Sequence, residues 1–229
     1  LVNWLLAINN KASMRIRSAI LILLIAPAVM HGQSPRKVTI DDLMSLRTIN
    51  DVEISPAGDQ IAYTVSTPSV PRNAHEPALF VIPATGGSPR QLAASYKLFT
   101  PALPAPRVRW RPDGSISVLV AEKNGPQVLS VKPDNTGAAL VTSAPQGVSA
   151  YEWSPDGRFI AYLSRDAAPS PIANKVGANP PATRLYIQPV APPGAAKPVS
   201  PADRFVDSFA WSPDGLAGAY ASAPVSRFL

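Results

Sequence analysis

The chain has 229 residues, 16% of them charged, a formal net charge of +6, 27 prolines, two histidines and no cysteine. That length allows a sizeable core, and the lack of cysteine excludes disulfides, thiol catalysis and cysteine-based metal sites. Lys11, Arg15 and Arg17 supply half of the excess charge, no basic run is interleaved with aromatics, and nucleic acid is therefore not an expected partner.

Residues 1–13 read as an upstream over-extension, because a good initiator follows at Met14. Arg15 and Arg17 then precede a short apolar run over residues 19–26, with Ala26, Ala28 and Gly32 as small residues near possible cleavage points. The pattern predicts a signal peptide over residues 14–32, too short for a comfortable transmembrane helix. It predicts an exported protein, periplasmic or secreted, that meets a membrane only through this leader.

A short helix is expected over residues 40–47, where Thr39 and Asp42 stand three apart in the manner of a helix start. The chain then gives the first of four similar units. "VEISPAGDQIAYTVS", "VRWRPDGSISVLVAE", "YEWSPDGRFIAYLS" and "FAWSPDGLAGAYASA" align on Pro56, Pro112, Pro155 and Pro213, at spacings of 56, 43 and 58 residues. Pro presets φ at the second position of a type I turn, Ser bonds back to the backbone, and Gly closes the turn in a left-handed conformation. Aromatic and branched flanks favour strands, so each unit reads as a β-hairpin. Two residues before the proline stand Ile54, Trp110, Trp153 and Trp211, so three of the chain's four Trp residues share one slot.

Each complete unit has a second half, seen in "ALFVIPATGGSPRQLA", "QVLSVKPDNTGAALVT" and "RLYIQPVAPPGAAKPVS", which gives a strand, a Pro/Gly-rich turn and a weaker strand. Two hairpins make a four-stranded blade, and repeats of roughly 40–60 residues with several strands each point to a β-propeller. In residues 159–163 both alternate sets are apolar, which predicts a strand covered on both faces. The fold class is all-β, a partial β-propeller with blades at about 51–94, 105–143 and 148–201 and the first hairpin of a fourth at 205–229.

At these repeats the sequence resembles the Pro-Asp-Gly propellers of TolB-like proteins and of the prolyl oligopeptidase family of serine peptidases. Residues 37–66, a short helix leading straight into the first repeat, are similar to bacterial acylaminoacyl-peptidase or dipeptidyl-peptidase-like members. TolB-like proteins place a separate α/β domain before the propeller, and about 20 residues between leader and repeat leave no room for it. The peptidase resemblance implies a propeller that admits short peptides to a C-terminal α/β-hydrolase domain with a Ser-Asp-His triad. The sequence reads as an N-terminal part of such a protein, lacking that domain. The alternative is a TolB-like periplasmic module that binds proteins.

The chemistry of the triad is not in the chain. No G-x-S-x-G elbow occurs, and no Glu-Glu pair is present to hold a substrate amine. His31 falls in the leader and His75 in a Pro-rich stretch read as a long loop over residues 67–77; a second long loop is expected over residues 166–183. Asp113, Asp156 and Asp214 recur before Gly and read as turn residues rather than metal ligands. Gly86 and Gly87 read as a hairpin turn rather than a phosphate cradle. Arg107, Arg109 and Arg111 alternate on one strand face and read as a solvated rim. No catalytic, cofactor-binding or metal-binding residue is expected here, and no cofactor.

Overall fold

The computed structural model describes residues 36–99, 108–166 and 182–224. The over-extension, the signal peptide and Arg107 lie outside these residues, as do residues 167–181 of the second predicted loop.

Helix α1 (Ile40–Met44) is shorter than expected at its C-terminal end. Its start is a reciprocal cap: the Thr39 hydroxyl accepts the Asp42 amide at 3.3 Å, and the Asp42 carboxylate accepts the Thr39 amide at 2.8 Å. Residues 45–47 leave the helix because Thr48 and Ile49, both β-branched, already pair as strand.

The rest is antiparallel β. The first blade is β1 (Thr48–Ile54), β2 (Gln60–Ser69), β3 (Ala74–Pro83) and β4 (Arg90–Leu92). The second is β5 (Arg109–Trp110), β6 (Ile116–Val120), β7 (Gln127–Val131) and β8 (Ala139–Leu140). The third is β9 (Ala150–Trp153), β10 (Phe159–Arg165), β11 (Thr183–Pro189) and β12 (Lys197–Pro198). A two-stranded sheet follows, β13 (Arg204–Trp211) and β14 (Gly218–Pro224). Within each blade the strands lie in chain order, so the partial propeller read from the repeats is the fold.

The turns have the predicted chemistry. The Gly157 amide donates to the Ser154 carbonyl at 2.8 Å, and Gly157 takes a φ of 69° that a side chain would resist. The Ser154 hydroxyl accepts the Phe159 amide at 2.9 Å and donates to Asp156 at 2.6 Å. Ser212 and Asp214 repeat this pair at 2.6 Å. The first blade has Ala57 in the Asp slot, and Asp59 takes the Ser55 hydroxyl instead, at 2.8 Å. The second blade has Arg111 in the Ser slot, and Ser115 donates its hydroxyl to Asp113 at 2.6 Å. Every turn keeps one hydroxyl–carboxylate bond although its partners change places.

The expected long loop over residues 67–77 is mostly strand. Pairing of β2 with β3 runs on to Ser69 opposite Ala74, and residues 70–73 alone make the turn. Pro68 and Pro77 are tolerated because β1 pairs no further than Ser66 and β4 no further than Leu79. Beyond those points the arm has open edges, where a missing N–H breaks no ladder.

Packing between blades supplies the core. The blade 1–2 cluster joins Ala62, Leu79, Val81 and Leu92 to Ile116, Val118, Leu129 and Val131. Several of these side chains are fully buried, each contributing roughly 1.5–3 kcal/mol. Alternate residues of β10 serve different neighbours, as the two-sided apolar pattern predicts. Ile160 and Tyr162 pack with Leu119 and Val128 of the second blade, whereas Ala161 and Leu163 pack with Val206 and Phe209 of β13.

Candidate functional site: the inner strands and the blade junctions

The shared Trp slot is a junction. The Trp110 indole donates to the Glu53 carbonyl at 3.0 Å, and the Trp211 indole to the Glu152 carbonyl at 3.5 Å. Trp153 donates at 2.8 Å to the Ser117 hydroxyl, which itself donates to the Arg109 carbonyl at 3.1 Å. Glu53, Arg109 and Glu152 occupy the same place in their repeats, one residue before the Trp slot. Each of the three Trp residues thus reaches the same carbonyl of the preceding inner strand, directly or through one serine. These contacts bring β1, β5, β9 and β13 side by side.

The inner strands also bring charges together. The Asp51 carboxylate accepts the Val108 amide at 2.6 Å, and Glu53 accepts the Trp110 amide at 3.0 Å, both across the first junction. Arg109 lies 3.9 Å from Glu152 of the next blade. The Arg111 guanidinium sits 4.2 Å over the Trp153 ring and 3.1 Å from Asp113. The predicted solvated rim is therefore corrected. Arg109 and Arg111 do share a strand side, but the third blade covers it with a carboxylate and an indole face, both attractive to a guanidinium. Burial pushes the Tyr151 hydroxyl well above its ordinary value, and it lies near Ser117, Arg109, Glu53 and Asp51.

This arrangement binds blades to one another. His75 lies on the exposed arm opposite Pro68. Asp113, Asp156 and Asp214 hold their own turns, as expected. Among the described residues no group of three or more His, Cys, Asp or Glu is placed to hold a metal. Gly86 and Gly87 turn β3 into β4, with the Gly86 amide on the Pro83 carbonyl at 2.9 Å. Cavities open between blades among the described residues. One of about 550 Å³ lies between the first and second, with Arg90 and Lys132 in its wall. One of about 500 Å³ lies between the second and third, beside Gln127, Thr142 and Gln188. Sequence reasoning missed both.

No family model matches the chain. It is 30% identical over 128 residues to dipeptidyl-peptidase 5 of Porphyromonas endodontalis, a match over 56% of this chain and 18% of that protein. It is 26% identical over 126 residues to the uncharacterized peptidase YuxL of Bacillus subtilis, over 54% of this chain and again 18% of the relative. In structure it is similar to Porphyromonas gingivalis dipeptidyl peptidase 4, with a TM-score of 0.54 and 18% identity over 84% of this chain and 30% of that one. The chain is thus similar in sequence to a part of each of two bacterial peptidases, and its blades are similar in fold to a part of a third.

Proposed function

We propose that these blades are the non-catalytic, substrate-gating part of an exported prolyl-oligopeptidase-like serine peptidase that acts on short peptides. The observation that carries this reading is the sequence similarity to two peptidases, each matched over 18% of its length. The structure supports it through what the blades contain: junctions built from backbone carbonyls and indoles, and turn carboxylates bonded within their own turns. In this reading the nucleophile, base and oxyanion donors come from an α/β-hydrolase domain outside these residues. The blades narrow access to it, and the leader exports the protein. A TolB-like protein-binding module is the other reading of the same repeats.

The test is to express the whole open reading frame that holds this sequence and treat it with a fluorophosphonate. Labelling of a serine outside residues 1–229, with hydrolysis of dipeptidyl or acyl-aminoacyl chromogenic substrates but not of folded proteins, supports the proposal. A frame with no G-x-S-x-G elbow, or labelling of a serine within these blades, overturns it. Removal of residues up to about position 32 on export tests the leader; an intact Met14 in the cytoplasm refutes it.

A further inference from the structure

The prolines of β2 and β3 follow the hydrogen-bonding phase of the two strands. The Ala84 amide donates to the Asp59 carbonyl at 2.8 Å, and pairing then runs without a shift from Gln60 opposite Pro83 to Ser69 opposite Ala74. Antiparallel pairs alternate between those that exchange backbone bonds and those whose backbone groups point away from the partner. Counted from Asp59, the outward residues of β2 are Gln60, Ala62, Thr64, Ser66 and Pro68. Those of β3 are Pro83, Val81, Leu79, Pro77 and His75. The Ser55 amide, on the Gln60 carbonyl at 2.8 Å, fixes the same phase independently.

Neighbouring strands cover only part of these edges. β1 pairs with β2 as far as Ser66, and β4 pairs with β3 from Leu79 to Val81. Among the described residues four outward positions have no strand beside them: Pro68, His75, Pro77 and Pro83. Three of the four are prolines, and the first uncovered position on each side of β4 is one of them. Proline makes up 27 of the 229 residues, so tolerance alone would leave most of four such positions without it. Each proline keeps a carbonyl and offers no N–H, and a strand laid along either edge finds acceptors with almost no donors. The His75 amide is the single donor left at the uncovered outward positions.

We propose that Pro68, Pro77 and Pro83 block strand addition, keeping the open edges of the first blade from pairing with the same edges of a second copy of this chain. The block acts on backbone pairing and is independent of the gating role proposed above.

Amide exchange and thioflavin T binding of the 229-residue chain test this. In the unaltered chain the His75 amide should exchange fast at every concentration. Pro68→Thr with Pro77→Thr restores two outward donors. That variant should associate at a concentration lower by about tenfold or more, as expected for added backbone bonds, and should bind thioflavin T. Its amides over residues 66–69 and 74–78 should gain protection. Pro71→Thr is the control: Pro71 lies in the exposed turn over residues 70–73, off both edges, and its loss should leave association unchanged. Association of the double variant no stronger than that of the unaltered chain overturns the proposal, as does an equal gain from Pro71→Thr. Association that leaves residues 66–69 and 74–78 unprotected also overturns it. If the double variant does not fold, the unaltered chain decides. Protection of its His75 amide as concentration rises would show that the edge already pairs with a second copy, and fast exchange throughout supports the block.

Discussion

The indole of Trp153 and the hydroxyl of Ser117 are joined at 2.8 Å across the boundary between the second and third blades, and the same hydroxyl passes a bond at 3.1 Å to the Arg109 carbonyl. With 9% of its surface exposed, and with Arg111 stacked on its ring, Trp153 is a packing centre and a polar link at once. Trp153→Ala should cost about 3–5 kcal/mol, the usual range for a buried large aromatic. Ser117→Ala leaves the indole N–H without its acceptor and should cost about 1–3 kcal/mol. Urea unfolding of the double variant should show strong non-additivity, because both substitutions break the same link. Independent, additive losses would mean that the two residues do not act together.

The turn carboxylates make the fold sensitive to acid. The Ser154 hydroxyl first, and the Arg158 amide second, hold the Asp156 carboxyl below the usual carboxylate range. The folded value lies below the unfolded one, so its contribution is present above about pH 3.9 and is lost as pH falls toward the folded value. Ser154→Ala should move the Asp156 titration upward toward the ordinary value. Carbon-detected titration of the side-chain carboxyl by NMR measures this directly, and an unmoved midpoint would contradict it.

Alkaline behaviour should mirror that. Burial first, and neighbouring Tyr186 second, push the Tyr162 hydroxyl up to about 12, and burial also raises Tyr151. The folded values lie above the unfolded one. The stability they confer is therefore full below about pH 10 and is lost as pH rises through the folded values. Absorbance titration near 295 nm should show that these two of the six tyrosines ionise only as the fold opens. Ordinary titration of all six in a chain that keeps its circular dichroism would refute the burial.

How far the sequence disclosed this fold depends on how local each cause is. The hairpins were legible because Ser, Pro, Asp and Gly act on their own backbone within four residues. The arm at residues 67–77 was not, because proline and asparagine read as breakers wherever they occur. Only the pairing shows that Pro68 and Pro77 fall where neighbouring strands have stopped. Alternation placed Arg109 and Arg111 on one side correctly but had no means of saying that Trp153 and Glu152 would meet them.

The first blade has one apolar face without a neighbour among the described residues. Ile49, Val52 and Ile54 are 61%, 54% and 62% exposed, and Ile54 stands in the slot that Trp fills elsewhere. Pairing places Ile61, Tyr63 and Phe80 on the same face, with Tyr63 and Phe80 stacked at 5.6 Å. Such a face favours association. Sedimentation of the isolated 229-residue chain should show concentration-dependent self-association, reduced by Val52→Lys with Ile54→Lys. A monodisperse monomer at all concentrations would show that the face is not adhesive.

The two-sided strand β10 has a further cost for folding. A strand with one wet side is punished for sliding by a single residue, because its apolar set would turn to water. Sliding β10 merely exchanges Ile160 and Tyr162 for Ala161 and Leu163, one greasy set for another. Hydrophobicity therefore cannot choose the alignment, and fit alone discriminates weakly until the blades have assembled. The choice falls to the Ser154 amide on the Phe159 carbonyl at 2.9 Å and to the left-handed Gly157 that allows it. The repeated turn is an alignment pin. A chain with the same strands and scrambled turns should collapse readily and settle into several interchangeable stackings rather than one.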